Sequence, residues 1–293
     1  MRKRLCYFLL ILSLLSLNAC QPPQEGAAVP VVELENDQPH EMLPANEPEL
    51  KVPDLPAVVE PPPSNASGTS YSWSFTRNNN HQPTTIPPEA AKLLEQYPAL
   101  YLGPADHRQQ VYLTFDCGYE QGFAPAILDT LKTQEVKAIF FLTGHYVRSQ
   151  PELVKRMLAE GHLLGNHSDN HPDFSSISQQ QLVQELDSLN NAYRQLTGES
   201  LSPYARPPEG RYSAQSLYDT AAAGYTSVFW SMAFHDWDPQ NQPGADWVYQ
   251  HVMDNIHPGA IILLHIVSQS DTEALNRIIS DLKVQGYSFA TFE

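Results

Sequence analysis

The sequence predicts an α/β fold in which seven strand–helix units curl into a closed or nearly closed barrel, preceded by a disordered tether. Three observations predict it. From residue 111 onward, short apolar runs alternate with helical stretches, which implies parallel strands joined by right-handed crossovers. The first 70 residues have a composition unlike the rest, which confines the folded part to about residues 71–293. Acidic, basic and histidine side chains recur just past the C-terminal ends of the strands, the rim on which β/α barrels carry their functional groups. A doubly wound open sheet is the competing arrangement, but no Gly-rich phosphate loop follows the first strand.

The chain has 293 residues and a net charge of −16, which argues against a nucleic-acid groove. It opens Met1-Arg2-Lys3-Arg4, followed by an apolar run over 7–17 that is too short to span a bilayer. A basic start, a short apolar core and small residues before a cleavage point describe an export signal over 1–19. The core ends in Leu17-Asn18-Ala19-Cys20, which resembles the lipobox of bacterial lipoproteins, so Cys20 is the expected lipidation site. Residues 21–70 hold eleven prolines and nine acidic residues against one lysine, too little apolar surface to offset the entropy of ordering. That segment reads as an extended, semi-rigid tether over about 20–70. The cysteines are Cys6, Cys20 and Cys117, so the mature domain keeps one and can form no internal disulfide.

Residues 71–110 read as a lead-in packed on the outside of the barrel, with one helix from about 88 to 96. The barrel follows over 111–293. Its first strand covers 111–115, β-branched and aromatic throughout, and a helix over 123–134 carries Pro125 in its first turn. The second strand spans 137–143, and the helix over 151–160 stops at Gly161. A third strand at 162–165 precedes a long helix over 178–196, whose start is marked by a capping box of Ser178 and Gln181. The remaining strands are expected at 203–206, 226–231, 260–264 and 288–292, with helices at 213–223, 246–255 and 272–285.

Chemistry collects where these strands end. Asp116, Cys117 and Gly118 follow the first, and His167 and His171 follow the third. On a helical turn, residues four apart share a face, so two imidazoles there can hold one divalent metal. Arg206-Pro207-Pro208-Glu209-Gly210 follows the fourth, His235-Asp236-Trp237 the fifth, and His265 ends the sixth. A metal on neutral imidazoles polarises a carbonyl and acidifies water. A carboxylate can take the water's proton, and an arginine keeps that carboxylate ionised. A histidine, oriented by a second carboxylate, can protonate a leaving amine. The set describes hydrolysis of an amide or ester.

Thr114-Phe115-Asp116, His167-Ser168 with His171, Arg206-Pro207-Pro208 with Gly210, Asp236-Trp237, and Leu263-Leu264-His265 resemble, in order, the five motifs of the NodB-type polysaccharide deacetylases, carbohydrate esterase family 4. The resemblance covers about residues 111–292 and implies a distorted (β/α)7 barrel of the NodB type. Trp73, Phe75, His81, Tyr101, Gly103, Tyr119, Glu120, the stretch Val228-Phe229-Trp230-Ser231 and the stretch from His257 to Ile261 are more similar to one branch, the delta-lactam-biosynthetic peptidoglycan de-N-acetylases of spore formers. That resemblance implies removal of acetyl from N-acetylmuramic acid whose peptide is gone, after which the freed amine closes on the lactyl group. It also implies Asp116 as base, Arg206 as its partner, His167 and His171 as metal ligands, His265 as acid and Asp236 behind it. Trp237, with Tyr119 and Pro207, would line the sugar site.

Most of the family has a second aspartate where this chain has Cys117. Cys117 is either a thiolate ligand, which would favour zinc, or a small buried residue with Asp116 or water completing the coordination. The expected cofactor is therefore a divalent metal, zinc first. The expected partners are peptidoglycan glycan strands, and the membrane through a lipid on Cys20; nucleic acid is not expected. The expected state is a monomeric, exported lipoprotein facing the cell wall. The alternatives are an N-acetylglucosamine deacetylase acting on peptidoglycan or another glycan, and a non-catalytic glycan-binding lipoprotein.

Overall fold

A computed structural model describes residues 59–63, 68–104 and 109–292. The signal, most of the tether and Cys20 lie outside these. In chain order the elements are β1 (Tyr71–Ser72), α1 (Pro88–Gln96), β2 (Ala99–Leu100), β3 (Gln110–Cys117), α2 (Ala124–Thr133), β4 (Ile139–Leu142), α3 (Gly144–Ser149), α4 (Pro151–Ala159) and β5 (Leu163–Asn166). Then follow α5 (Gln179–Thr197), β6 (Tyr204–Ala205), β7 (Arg211–Tyr212), α6 (Ala214–Ala222), β8 (Thr226–Val228), α7 (Ala245–Asn255), β9 (Ile261–His265), α8 (Gln269–Val284) and β10 (Ser288–Phe289).

The main sheet is parallel and curled. Its order runs β10-β3-β4-β5-β6-β8-β2, and β9 pairs with β3 from Tyr112↔Ile261 to Asp116↔His265. Past β8, Met232 bridges Ile262 in parallel, so β9 is held on both edges and the sheet curls round towards closure. The seventh strand is short: β10 pairs only with Gln110 and Val111, below the stretch of β3 that β9 takes. The result is a distorted half-barrel, not an open doubly wound sheet.

Alternation along β3 sorts its side chains between two layers. Val111, Leu113, Phe115 and Cys117 join the core between strands and helices, with Phe140 and Leu142 of β4 and Ile262 and Leu264 of β9. Tyr112, with Ile139 and Phe141 of β4 and Ile261 of β9, fills the opposite face. Thr114 and Asp116 continue that second row towards the rim. An apolar floor thus sits beneath a polar cluster.

Gly165 on β5 makes room for that floor. A Cβ there would lie 2.7 Å from the Phe141 ring, and the face of that ring carries the Arg206 guanidinium 4.2 Å from its centroid. Gly165→Ala is therefore expected to cost about 1–3 kcal/mol of stability by overpacking. It should also weaken catalysis by displacing Arg206. Chemical unfolding checks this, and an unchanged midpoint would contradict it.

The lead-in does more than pack outside. β2 adds a parallel strand beside β8, in register Ala99↔Ser227. β1 pairs antiparallel with β7, and Trp73 stacks on Phe229 with centroids 4.2 Å apart while its Nε1 donates to the Trp230 carbonyl. Trp73 N–H also donates to the Gly210 carbonyl at 2.8 Å, so the lead-in buttresses the turn that follows Arg206. Gly210 has φ of 63°, and a Cβ there would meet both Trp73 and Trp230 at 2.8 Å.

Candidate active site

Asp116, at the end of β3, accepts a hydrogen bond from Arg206 Nη1 at 2.7 Å. Arg206 is fully buried; its Nη2 donates to Thr114 Oγ1 at 2.9 Å and its Nε to the Val228 carbonyl at 3.2 Å. Thr114 in turn donates to the Ile262 carbonyl, tying the guanidinium across β3, β8 and β9. Burial alone would push the Asp116 carboxyl up, but Arg206, helped by His167 and His265, outweighs it and holds the group below its ordinary value. Asp116 is ionised at neutral pH.

His167 follows β5. Its Nδ1 lies 2.8 Å from the Arg206 carbonyl, which can only accept, so Nδ1 carries the proton and Nε2 keeps its lone pair. Burial, the larger influence, outweighs the Asp116 charge and pushes its pKa down to about 4, so the ring is neutral. That lone pair faces Asp116 Oδ2 at 3.4 Å. The His171 ring stands edge-on to His167, centroids 4.8 Å apart. The pair does not sit on a helical turn. Asn166 Oδ1 accepts from Ser168 N, Ser168 Oγ accepts from His171 N, and Ser168 and His171 take φ of 65° and 59°. Left-handed backbone, which histidine tolerates better than most residues, brings the rings together in place of a helix.

Across the site, His265 ends β9 in register with Asp116. Asp236 Oδ1 accepts from its Nδ1 and Oδ2 from its backbone N–H, both at 2.7 Å. Burial would push His265 down, but the Asp236 carboxylate outweighs it and leaves the imidazole above its ordinary value. Asp236 is fully buried and held below the ordinary carboxylate value, His265 outweighing the upward effect of burial. An ionised carboxylate and an imidazole whose protonated form is favoured thus end neighbouring strands, the pairing that general base and general acid work requires.

Cys117 stands apart. Its thiol is fully buried in the core beneath the helices and donates to the Phe115 carbonyl, and burial, then the Asp116 and Glu120 charges, push its pKa well up. Strand alternation turns it away from Asp116, so the thiolate-ligand reading is corrected to a core thiol. Among the described residues no three or more His, Cys, Asp or Glu side chains gather on one point. The donor set that fits a divalent cation is His167 and His171, with water or substrate filling the remaining positions.

Trp237 is 57% exposed and stacks flat on His235, centroids 4.3 Å apart. Tyr119 is 66% exposed and leans on His145 at 4.8 Å. Both offer aromatic faces to a ligand. Pro207, expected beside them, is buried; its carbonyl accepts from Gly210 N, and it shapes the Arg206 turn instead of presenting a surface. Two residues that the motifs contain but assign no role also build the site. Thr114 anchors Arg206, and its position two before Asp116 on one strand face could have indicated it. Glu120 accepts from Gly122 N, Ala124 N and Tyr146 Oη, and so fixes the loop that carries Tyr119.

The polysaccharide deacetylase family model matches residues 104–228. The chain is 46% identical over 222 residues to peptidoglycan-N-acetylmuramic acid deacetylase PdaA of Bacillus subtilis, covering 76% of this chain and 84% of that protein. This chain belongs to the polysaccharide deacetylase family. The solved structure of Bacillus subtilis PdaA, a family 4 carbohydrate esterase, superposes with a TM-score of 0.73 over 76% of this chain and 94% of that one. A family 4 carbohydrate esterase from Bacillus anthracis is 39% identical, with a TM-score of 0.64 over 76% of this chain and 94% of that one. The peptidoglycan-N-acetylglucosamine deacetylase of Bacillus cereus is 33% identical over 68% of this chain and 72% of that protein. This deacetylase is thus a hydrolase of carbon–nitrogen amide bonds with the NodB fold. Deacetylases of the family are metal-dependent in general.

Proposed function

We propose that the chain removes the N-acetyl group from N-acetylmuramic acid in peptidoglycan strands already stripped of peptide. The freed amine then closes on the lactyl group to give muramic δ-lactam, the modification made in spore cortex. The observation that carries this reading is the facing pair of Asp116–Arg206 and His265–Asp236, in register on β3 and β9, in a chain 46% identical to PdaA.

In this reading Asp116 takes a proton from the attacking water, held ionised by Arg206. His265 gives its Nε2 proton to the leaving nitrogen, and Asp236 fixes the ring by accepting from Nδ1. Water and amide become acetic acid and a free amine, and the proton taken by Asp116 balances the one given by His265. A divalent metal, zinc being the ion proposed, would be held by His167 and His171 and would polarise the acetamide carbonyl and acidify water when bound. Trp237 and Tyr119 would stack against the sugar faces.

Cys20 at the end of the expected export signal supports a lipid-anchored, exported protein facing the cell wall.

Mass spectrometry of strands treated with the full-length protein and zinc tests the substrate. Acetyl loss from muramic acid on amidase-stripped strands, and not on intact ones, is the expected result. Loss from glucosamine would overturn the muramic reading in favour of the activity named for the Bacillus cereus relative. No loss on either substrate would overturn both.

A further inference from the structure

Behind Asp236 sits a second carboxyl group that the motifs leave unused. Asp271 lies in the first turn of α8 and is 2% exposed. No N–H or O–H among the described residues is in hydrogen-bond geometry with either of its carboxyl oxygens. The nearest candidates are committed elsewhere: the Ser268 hydroxyl donates to Gln242 Oε1 at 2.8 Å, and the His265 N–H donates to Asp236 Oδ2. What the Asp271 carboxyl does meet is the Asp236 side chain.

Two buried carboxyl groups in contact cannot both ionise, so one proton is shared between them. Asp236 already accepts two N–H groups from His265, and those bonds favour its charged form. The donors nearest Asp271, the Ser268 hydroxyl and the His265 N–H, are turned to other acceptors, so the proton resides on Asp271. Burial and the Asp236 charge both push the Asp271 carboxyl well above its ordinary value, in the same direction.

The contact is held in place. Gln242 Nε2 donates to the Asp236 carbonyl at 2.8 Å, and its Oε1 accepts from both Ser268 Oγ and Ser270 N. Gly244 N donates to Ser270 Oγ, and Asp271 N donates to Ser268 Oγ. The loop carrying Asp236 and the first turn of α8 are therefore stapled together, and both Asp271 carboxyl oxygens are shut off from solvent.

We propose that Asp271 is a positioning residue of the deacetylase, a neutral carboxylic acid whose O–H donates to Asp236 and so limits how tightly Asp236 holds the proton on His265. This rests on the assignment of His265 as the acid. His265 faces Asp236, Asp116 and Arg206, and Asp271 acts on it only through Asp236. Without the donated bond, Asp236 becomes a stronger base, His265 holds its proton to higher pH, and it gives that proton up less readily.

Two variants separate this role from simple packing. Asp271→Asn keeps a donor towards Asp236 and should leave both rate and pH profile near wild type. Asp271→Leu removes the donor at similar volume. It should move the alkaline limb of the kcat profile up by about one pH unit and lower kcat about tenfold, the scale of one hydrogen bond to a charged group. A folded Asp271→Leu with the wild-type profile, or an Asp271→Asn that behaves like it, would overturn the proposal. A direct measurement covers the case in which Asp271→Leu does not fold. In aspartate-13C NMR of the full chain, one carboxyl carbon should keep its protonated shift through neutral pH and vanish in Asp271→Asn; absence of that signal in the wild type also overturns the proposal. Because this measurement needs no turnover, it stands apart from any failure of the deacetylase assignment.

Discussion

Asp116→Asn lowers acetate release by about 10²–10⁴-fold, the contribution of a positioned base, and leaves the domain folded. The amide has the shape of the carboxyl and its Oδ1 can still accept from Arg206 Nη1, so the geometry at the end of β3 survives. It cannot accept the water's proton. It also leaves the buried guanidinium without its counter-charge, so the variant unfolds at lower denaturant than wild type. Circular dichroism and product analysis together check this, and a variant with the wild-type rate would show that the base lies elsewhere.

Arg206→Met has the larger effect on stability, about 3–5 kcal/mol, because it strands the Asp116 carboxylate in a buried site. Arg206→Lys does little better, since one ammonium cannot reach Asp116, Thr114 and the Val228 carbonyl as the planar guanidinium does. The pH dependence of stability changes sign at this site. In the wild type the Asp116 pKa is depressed, so its contribution is present above the unfolded value and is lost as pH falls through the folded one. In Arg206→Met, burial, the largest influence, is opposed only by His167 and His265 and raises that pKa, so the carboxylate destabilises at neutral pH and is relieved by acid. Denaturant unfolding at neutral and mildly acidic pH checks this. A variant with the wild-type midpoint at neutral pH would contradict the account.

Much of this was legible in the sequence, for identifiable reasons. The alternation of strands and helices is carried by apolar runs and helix punctuation, and the capping box of Ser178 and Gln181 starts α5 as expected. The rim residues were legible because β/α barrels place function past strand ends, and Asp116, His167, Arg206 and His265 do meet there. What escaped depends on direction and on short-range turn chemistry. Spacing places Cys117 beside Asp116 and leaves a thiolate ligand and a small buried residue both open; strand alternation, which turns its thiol into the core, decides for the second. The His167–His171 spacing suggested a helical turn, whereas left-handed Ser168 and His171 do the work. The last helix was expected from 272, but Ser268 caps it and starts it at Gln269, which is what brings Asp271 into its first turn and against Asp236. The short helix α3, capped by Thr143, carries too little periodicity to see.

The central claim is that an ionised Asp116 and a protonated His265 work across one cleft. The pH dependence of kcat/KM for acetate release tests it most directly. Asp116, depressed by Arg206, must be deprotonated, so activity appears as pH rises through the acid side of the usual carboxylate range. His265, raised by Asp236, must be protonated, so activity is lost as pH rises through a value above that of free imidazole. The account predicts a bell with its acid limb below and its alkaline limb above those ordinary values, with the alkaline limb lost in His265→Gln. A profile that stays flat on the alkaline side in the wild type, or an alkaline limb that persists in that variant, would contradict it.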